Sequence, residues 1–280
     1  MPDPLTPALA AAYSVEIALF LAGLFIWWRT ALRPSARVQP PRLAPWTVSL
    51  SDFLVCALAV IGGGYFSQIL SRAIGEPFLR KFSATNDTRT VIYGAAFQLG
   101  LLAGVAGAQA YLCAQRKSTE SSPPRRTSPS LLIAGGLTFL AVLPAVDLTS
   151  LAWGKIIEYL GLPQEPQDLV GLFANGHSRW FVAVLFFLAT IAAPVVEELV
   201  FRAGLFRYLR TRIPRWASLL LPALFFAALH GNWASLGPIA ALAIVFSLAY
   251  ERTGRIGVTM IAHSLFNLNT ILLILAGVRT

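Results

Sequence analysis

Along the chain, apolar runs of about 20 residues alternate with short polar or basic stretches. Each run is long enough to cross a hydrocarbon core of about 30 Å as a helix. The pattern predicts eight helices, roughly Leu9–Trp28, Trp46–Leu70, Val91–Ala114, Leu131–Trp153, Trp180–Phe201, Trp216–His230, Ser235–Tyr250 and Gly257–Val278. Trp28, Trp46, Trp153, Trp180 and Trp216 stand at run ends, where an interfacial aromatic belt puts them. The expected fold is all-α, a polytopic transmembrane helical bundle of about eight spans. The loop Arg116–Ser130 is basic, polar and proline-rich. It divides the chain into a front part, 1–130, and a rear part, 131–280. The stretch Gly154–Ser178 is mixed, with Ile156, Ile157, Leu160, Leu169, Val170, Leu172 and Phe173 suggesting short amphipathic pieces in the interface. We read it as a connector.

Composition sharpens this picture. The 280 residues are 56% hydrophobic and 12% charged, with a mean hydropathy of +0.66, whereas a soluble domain is about a quarter charged. The net charge of +9 does not point to nucleic acid, because the basic residues flank apolar runs. Loops after the odd spans hold 15 of the 22 basic residues, counting Arg202 with the loop after span five. The positive-inside rule then puts those loops in the cytoplasm and both termini outside; Arg72, Arg80, Lys81 and Arg89 weigh against it. A cell inner membrane is the expected location. The first run has no basic region ahead of it and ends in Trp27-Trp28-Arg29, which reads as a retained span rather than a signal peptide. Cys56 and Cys113 lie in predicted spans without redox or metal spacing and read as small hydrophobes.

Ionisable groups at bilayer depth cost roughly 2.5–3.5 kcal/mol each on insertion scales, so each asks for a reason. Pro194-Val-Val-Glu197-Glu198-Leu-Val-Phe-Arg202 holds three. On a helix Glu198 and Arg202 are i,i+4 neighbours and can pair, while Glu197 is turned about 100° away. The pair alone can be a packing device, but this leaves Glu197 without a local partner. Two further runs hold Phe226 with His230, and His263 with Asn267, each pair at i,i+4. Taken singly, these histidines and the amide are ordinary packing or hydrogen-bonding groups. Together with Glu197 they can activate water and hold an oxyanion. Asn269 falls on another helix face and reads as a packing residue. Asp52 and Asp147 read as near-interface or helix-pairing groups, and Glu16 has no explanation.

The ordered set EExxxR (Glu197, Glu198, Arg202), FxxxH (Phe226, His230) and HxxxN (His263, Asn267) on successive apolar helices resembles the CPBP family, which contains type II CAAX prenyl endopeptidases and bacterial intramembrane proteases. The resemblance covers about Trp180 to Leu275. It implies a polar cavity reached from the membrane and peptide-bond hydrolysis in membrane-anchored or lipid-modified substrates. It further implies Glu197 as general base, His230 facing it, and His263 and Asn267 positioning water or the oxyanion. Glu198 and Arg202 would shape the site and Phe226 would line it. Two cofactor readings stay open: Zn²⁺ held by Glu197, His230 and His263 with a position left for water, or metal-free chemistry driven by Glu197. The absence of HExxH leans toward the second. Two other functions compete. Intramembrane Glu and His also mark transporters and proton relays, for which Gly62-Gly63-Gly64 offers one helix break. A non-catalytic membrane partner, immunity- or scaffold-like, needs none of the three spacings. One geometric tension remains. Glu197 and His230 meet only if span five extends to about Arg207 and span six begins inside the membrane.

Overall fold

The computed structural model describes residues 7–33, 41–115, 130–163 and 178–278. The polar divider at 116–129 and most of the mixed stretch, 164–177, lie outside them. Among the described residues the chain is helical with no strand, an all-α membrane bundle. Its helices are α1 (Pro7–Trp27, prolonged by a π-helical turn over Trp28–Leu32), α2 (Leu50–Lys81), α3 (Asn86–Gln115), α4 (Leu131–Leu160), α5 (Arg179–Arg210), α6 (Arg215–Ala228), α7 (Trp233–Thr253) and α8 (Ile256–Leu275). Seven are long and apolar enough to cross a membrane. The exception is α6. Its 14 residues reach about 21 Å at 1.5 Å per residue, short of the core thickness. Pro214 sets its start, and it ends at His230-Gly231, where Gly231 has φ +63°, a conformation that favours glycine. The expected eighth span is therefore a helix that dips in and turns back through α7.

Several boundaries move for local reasons. Trp46 lies outside α2, in an extended strap over 41–49. The helix starts only after Ser49, whose Oγ accepts the Asp52 N–H at 3.1 Å, a regular N-cap. The strap is held at both ends. Arg42 and Leu43 donate backbone N–H groups to the Glu251 carbonyl at 3.0 and 3.1 Å. Arg212 donates to the Trp46 and Val48 carbonyls. α4 runs on past Trp153 to Leu160, which absorbs the first part of the expected connector. Gly62-Gly63-Gly64 does not break α2. Instead, Gly63, Gly100 and Gly104 let α2 and α3 touch backbone to backbone: a Cβ at Gly100 would lie 2.2 Å from the Gly63 carbonyl oxygen. Small residues at such crossings are the membrane solution to close helix packing.

The front helices pack onto the rear ones at two places. Val200 of α5 joins Cys56, Val60 and Ala108 of the α2–α3 pair, and Val91 of α3 meets Leu185, Ala189 and Ile271. α1 lies along α4. Pro144 cannot donate to the Leu140 carbonyl, and Gly23 lies against that oxygen, where a Cβ would stand 2.2 Å away. Trp27 Nε1 donates to the neighbouring Ala141 carbonyl at 2.8 Å. The central core of the rear half gathers Val142, Phe201, Ala223, Phe226, Leu242, Ala243, Phe246 and Ala262, drawn from α4 to α8. The motif residues line its edge.

Candidate active site

α5 is not a uniform helix. Two π-helical stretches, Leu188–Ala192 and Glu198–Phe206, flank a short α-helical piece, Ala193–Glu197. π turns inside α-helices frequently mark functional sites. The first has a covalent cause. Ala193 N–H is drawn back to the Leu188 carbonyl, so the next donor in that register belongs to Pro194, which has none. The Ala189 carbonyl is left open, and Asn267 Nδ2 of α8 donates to it at 2.8 Å. The amide of the third motif thereby tethers α8 to the turn just ahead of the paired glutamates.

The two glutamates diverge as their angular separation requires. Glu198 is fully buried. Its Oε1 lies 3.1 Å from Arg202 Nη1 and 3.0 Å from His263 Nδ1. Arg202, also buried, has its guanidinium carbon 4.5 Å from the Phe226 ring centroid and 5.4 Å from that of Phe246. The cation is thus enclosed by one carboxylate and two aromatic faces, the setting in which a cation–π contact is strongest. Arg202 is therefore no loop residue; it sits inside α5, 1% exposed. Because a carboxylate only accepts, His263 Nδ1 carries the proton and Nε2 is left to face the other way. It faces Glu197, with Oε2 3.7 Å from Nε2. That separation exceeds a direct hydrogen bond, the range in which an intervening or adjoining water has to be considered. Glu197 keeps 23% of its side chain exposed, against 0% for Glu198. The outer acid is open to a reactant and the inner one is not.

His230 is placed differently. Its Nδ1 lies 2.9 Å from the Phe226 carbonyl oxygen, so Nδ1 is the donor, and Nε2 has no hydrogen bond to another described residue. The ring stands 4.9 Å from the Phe226 ring, and Phe226 in turn stands 6.2 Å from His263. Phe226 is thus the wall between the two imidazoles. Among the described residues no ion-pair contact within 4.0 Å joins His230 to either glutamate, and no three His, Cys, Asp or Glu side chains converge as a metal-binding group. Glu198, the acid nearest His263, is already engaged by Arg202. The donor set read for Zn²⁺ is not gathered in this geometry.

Depth settles the tension over where Glu197 and His230 lie. Arg210 at the end of α5 and Arg215 at the start of α6 bind the same carboxylate, Glu251, at 2.5 and 2.7 Å, so both helices are pinned at one level. From that clamp Glu197 lies 13 residues back along α5 and His230 15 residues on through α6 and its closing turn. α5 does extend past Arg207, and α6 does not cross; the two residues reach similar depth. A second polar contact went unread in the sequence. Asn269 Nδ2 donates to both Glu16 oxygens at 3.0 and 3.2 Å. This gives the isolated acid of α1 a partner 253 positions away.

Residues 179–269 match the family model described as "Type II CAAX prenyl endopeptidase Rce1-like". All three motifs fall within that stretch, which covers less than half of the chain and is similar there to a family of CAAX-type membrane peptidases. Two curated proteins are similar to the chain at low identity. The chain is 28% identical over 151 residues, 52% of its length, to an "Uncharacterized protein" of Mycoplasma capricolum subsp. capricolum. It is 28% identical over 98 residues, 35% of its length, to "Putative membrane peptidase YdiL" of Bacillus subtilis. These matches span 44% and 40% of the two relatives. No solved structure matches the chain.

Proposed function

We propose that the chain is an intramembrane endopeptidase that hydrolyses peptide bonds of membrane-anchored or lipid-modified proteins, with Glu197 activating water. The observation that carries this reading is the ordered series Arg202–Glu198–His263–Glu197. A buried ion pair fixes one imidazole nitrogen, and the other nitrogen is presented to a partly open carboxylate at bilayer depth. A water lodged beside Glu197 and His263 donates one hydrogen to the Glu197 carboxylate and the other to His263 Nε2. Its lone pair is then free to attack a peptide carbonyl. In that step the new C–O bond forms as a water proton moves to Glu197. The proton is next delivered to the amide nitrogen as the C–N bond breaks, and Glu197 is regenerated. His230, once protonated, offers its Nε2–H to the oxyanion or the departing nitrogen, because Nδ1 is occupied by the Phe226 carbonyl.

The test is cleavage of membrane-anchored peptides, prenylated and unprenylated, by the chain purified in detergent, comparing wild type with Glu197→Gln. General-base catalysis contributes about 10²–10⁴-fold, so Glu197→Gln is expected to lose at least a hundredfold in kcat with unchanged folding. Wild-type rates in that variant sink the reading. Proton flux in liposomes that dies with the same substitution, without peptide cleavage, supports the relay instead. Unchanged cellular function in both Glu197→Ala and His263→Ala supports a non-catalytic partner.

A further inference from the structure

The end of the bundle where α5 stops carries a hollow that the proposed chemistry does not use. It has a volume of about 180 Å³ and is lined by Pro41, Leu43, Ala44, Pro45, Arg207, Arg210, Thr211 and Glu251. One wall is therefore the strap and the other the end of α5. The space far exceeds the roughly 10–15 Å³ that a single water needs. Its charges are unequal. Glu251 is saturated by Arg210 and Arg215, which bind its two oxygens. Arg207 meets the Tyr250 side chain, but it has no carboxylate within 4.0 Å among the described residues, and its Nε is buried without a hydrogen-bond partner. Its guanidinium lies 5.6 Å from the Trp46 ring centroid, so the strap tryptophan limits where it can turn. A buried donor without an acceptor is uncommon in native structures, and a guanidinium is suited to oxyanions of phosphate geometry.

The hollow also lies at the right level. It opens where the apolar stretch of α5 gives way to Arg207, Arg210 and Arg212, the depth at which a bilayer places its phosphates. We infer that this hollow is a binding site for a phosphate group, held by Arg207 against the strap, with an anionic phospholipid headgroup as its source. The juxtaposition that carries it is an arginine without a carboxylate partner facing a walled hollow at the membrane surface. The inference stands apart from the peptidase reading, because Arg207 meets the motif residue Arg202 only through its backbone N–H and its side chain lines the hollow.

The full chain, purified in detergent, is titrated with phosphatidylglycerol and with phosphatidylcholine, with occupancy read by native mass spectrometry. Inorganic phosphate is added in parallel as a competitor. Wild type is expected to retain one phosphatidylglycerol in preference to phosphatidylcholine. Arg207→Gln is expected to bind it about tenfold more weakly, the loss of one charge-assisted contact, and Arg207→Lys to recover part of the difference. Ala44→Trp fills the hollow from the strap and leaves Arg207 in place, so it is expected to lose the lipid too, even if Arg207→Gln fails to fold. Displacement by inorganic phosphate identifies the headgroup phosphate as the recognised group. Binding of phosphate without phosphatidylglycerol overturns the lipid source and identifies a free anion instead. Equal retention of both lipids, or unchanged binding in both Arg207→Gln and Ala44→Trp, overturns the inference.

Discussion

At the scale of single residues, Arg202 shows how a full charge is held inside this bundle. It has Glu198 at 3.1 Å and two phenylalanine faces around it. Removing one member of such a buried pair strands the other and costs about 3–5 kcal/mol. Arg202→Leu is therefore expected to lower the thermal midpoint sharply, measured by fluorescence-detected size exclusion after heating. The double variant Glu198→Gln/Arg202→Leu is expected to be more stable than Arg202→Leu alone, because the stranded charge is gone. The same logic separates stability from turnover at His263. His263→Gln keeps a polar side chain of similar reach but loses the geometry in which one nitrogen is fixed and the other faces Glu197. It is expected to fall in kcat by at least tenfold with a smaller loss of stability than Arg202→Leu, read as kcat beside the melting midpoint. The i,i+4 pairing of Glu198 with Arg202 was legible in the sequence because it is local. Its third partner, His263, is 65 positions away, and helical spacing carries no information about that.

At the scale of elements, the decisive feature is the interrupted register of α5. Pro194 is visible in the sequence, and a proline inside a helix always strips a donor from the turn before it. The sequence does not show which side chain answers the freed carbonyl. Here it is Asn267, which the sequence placed on the same face as His263 and the family resemblance assigned to water or the oxyanion. That amide acts through position, tying α8 to the turn that carries Glu197 and Glu198. Hydrogen bonds between membrane helices average about 0.6 kcal/mol, with a maximum near 1.7. Asn267→Leu is thus expected to cost stability only in that range, yet to reduce cleavage by a larger factor, since Glu197 and His263 lose their common reference. Comparing the melting midpoint with kcat in the same preparation checks this. Equal proportional losses in the two would mean that Asn267 acts only through stability. The boundary of α2 teaches the complementary lesson. Trp46 reads as the start of an apolar run, but Pro45 and the Ser49 cap delay the helix, and the freed segment becomes the strap.

At the scale of the whole molecule, contacts between helix ends fix which loops share a side. Leu131 packs against Gly257, Gly254 against the Arg42 carbonyl, and Arg212 against Trp46. The starts of α2, α4 and α8 and the end of α5 therefore meet at one end, together with the Glu251 clamp. The α2–α3 turn lies at the other end, where Glu76 gathers Arg80 and Arg89 at 3.0 and 3.5 Å and accepts from Tyr93 at 2.5 Å. Hydropathy counted α6 as a span because its residues are apolar throughout; only its length, against about 30 Å of hydrocarbon, reveals that it turns back. Since α6 and α7 leave and return at the same end, they add no net crossing between α5 and α8, and the basic loops stay together whether both helices cross or neither does. A chain in which Cys56 and Cys113 are replaced by serine, carrying single cysteines at Ser130, Thr211 or Ser83, tests this in intact cells with a membrane-impermeant maleimide. Ser130→Cys and Thr211→Cys are expected to be protected until the cells are opened, following the concentration of arginines at that end, while Ser83→Cys is expected to react from outside. Labelling of Ser130→Cys and Thr211→Cys from opposite sides would mean that α4 and α5 do not both cross the bilayer, which would part the start of α4 from the Glu251 clamp and leave the motifs of α5 and α8 without a common site.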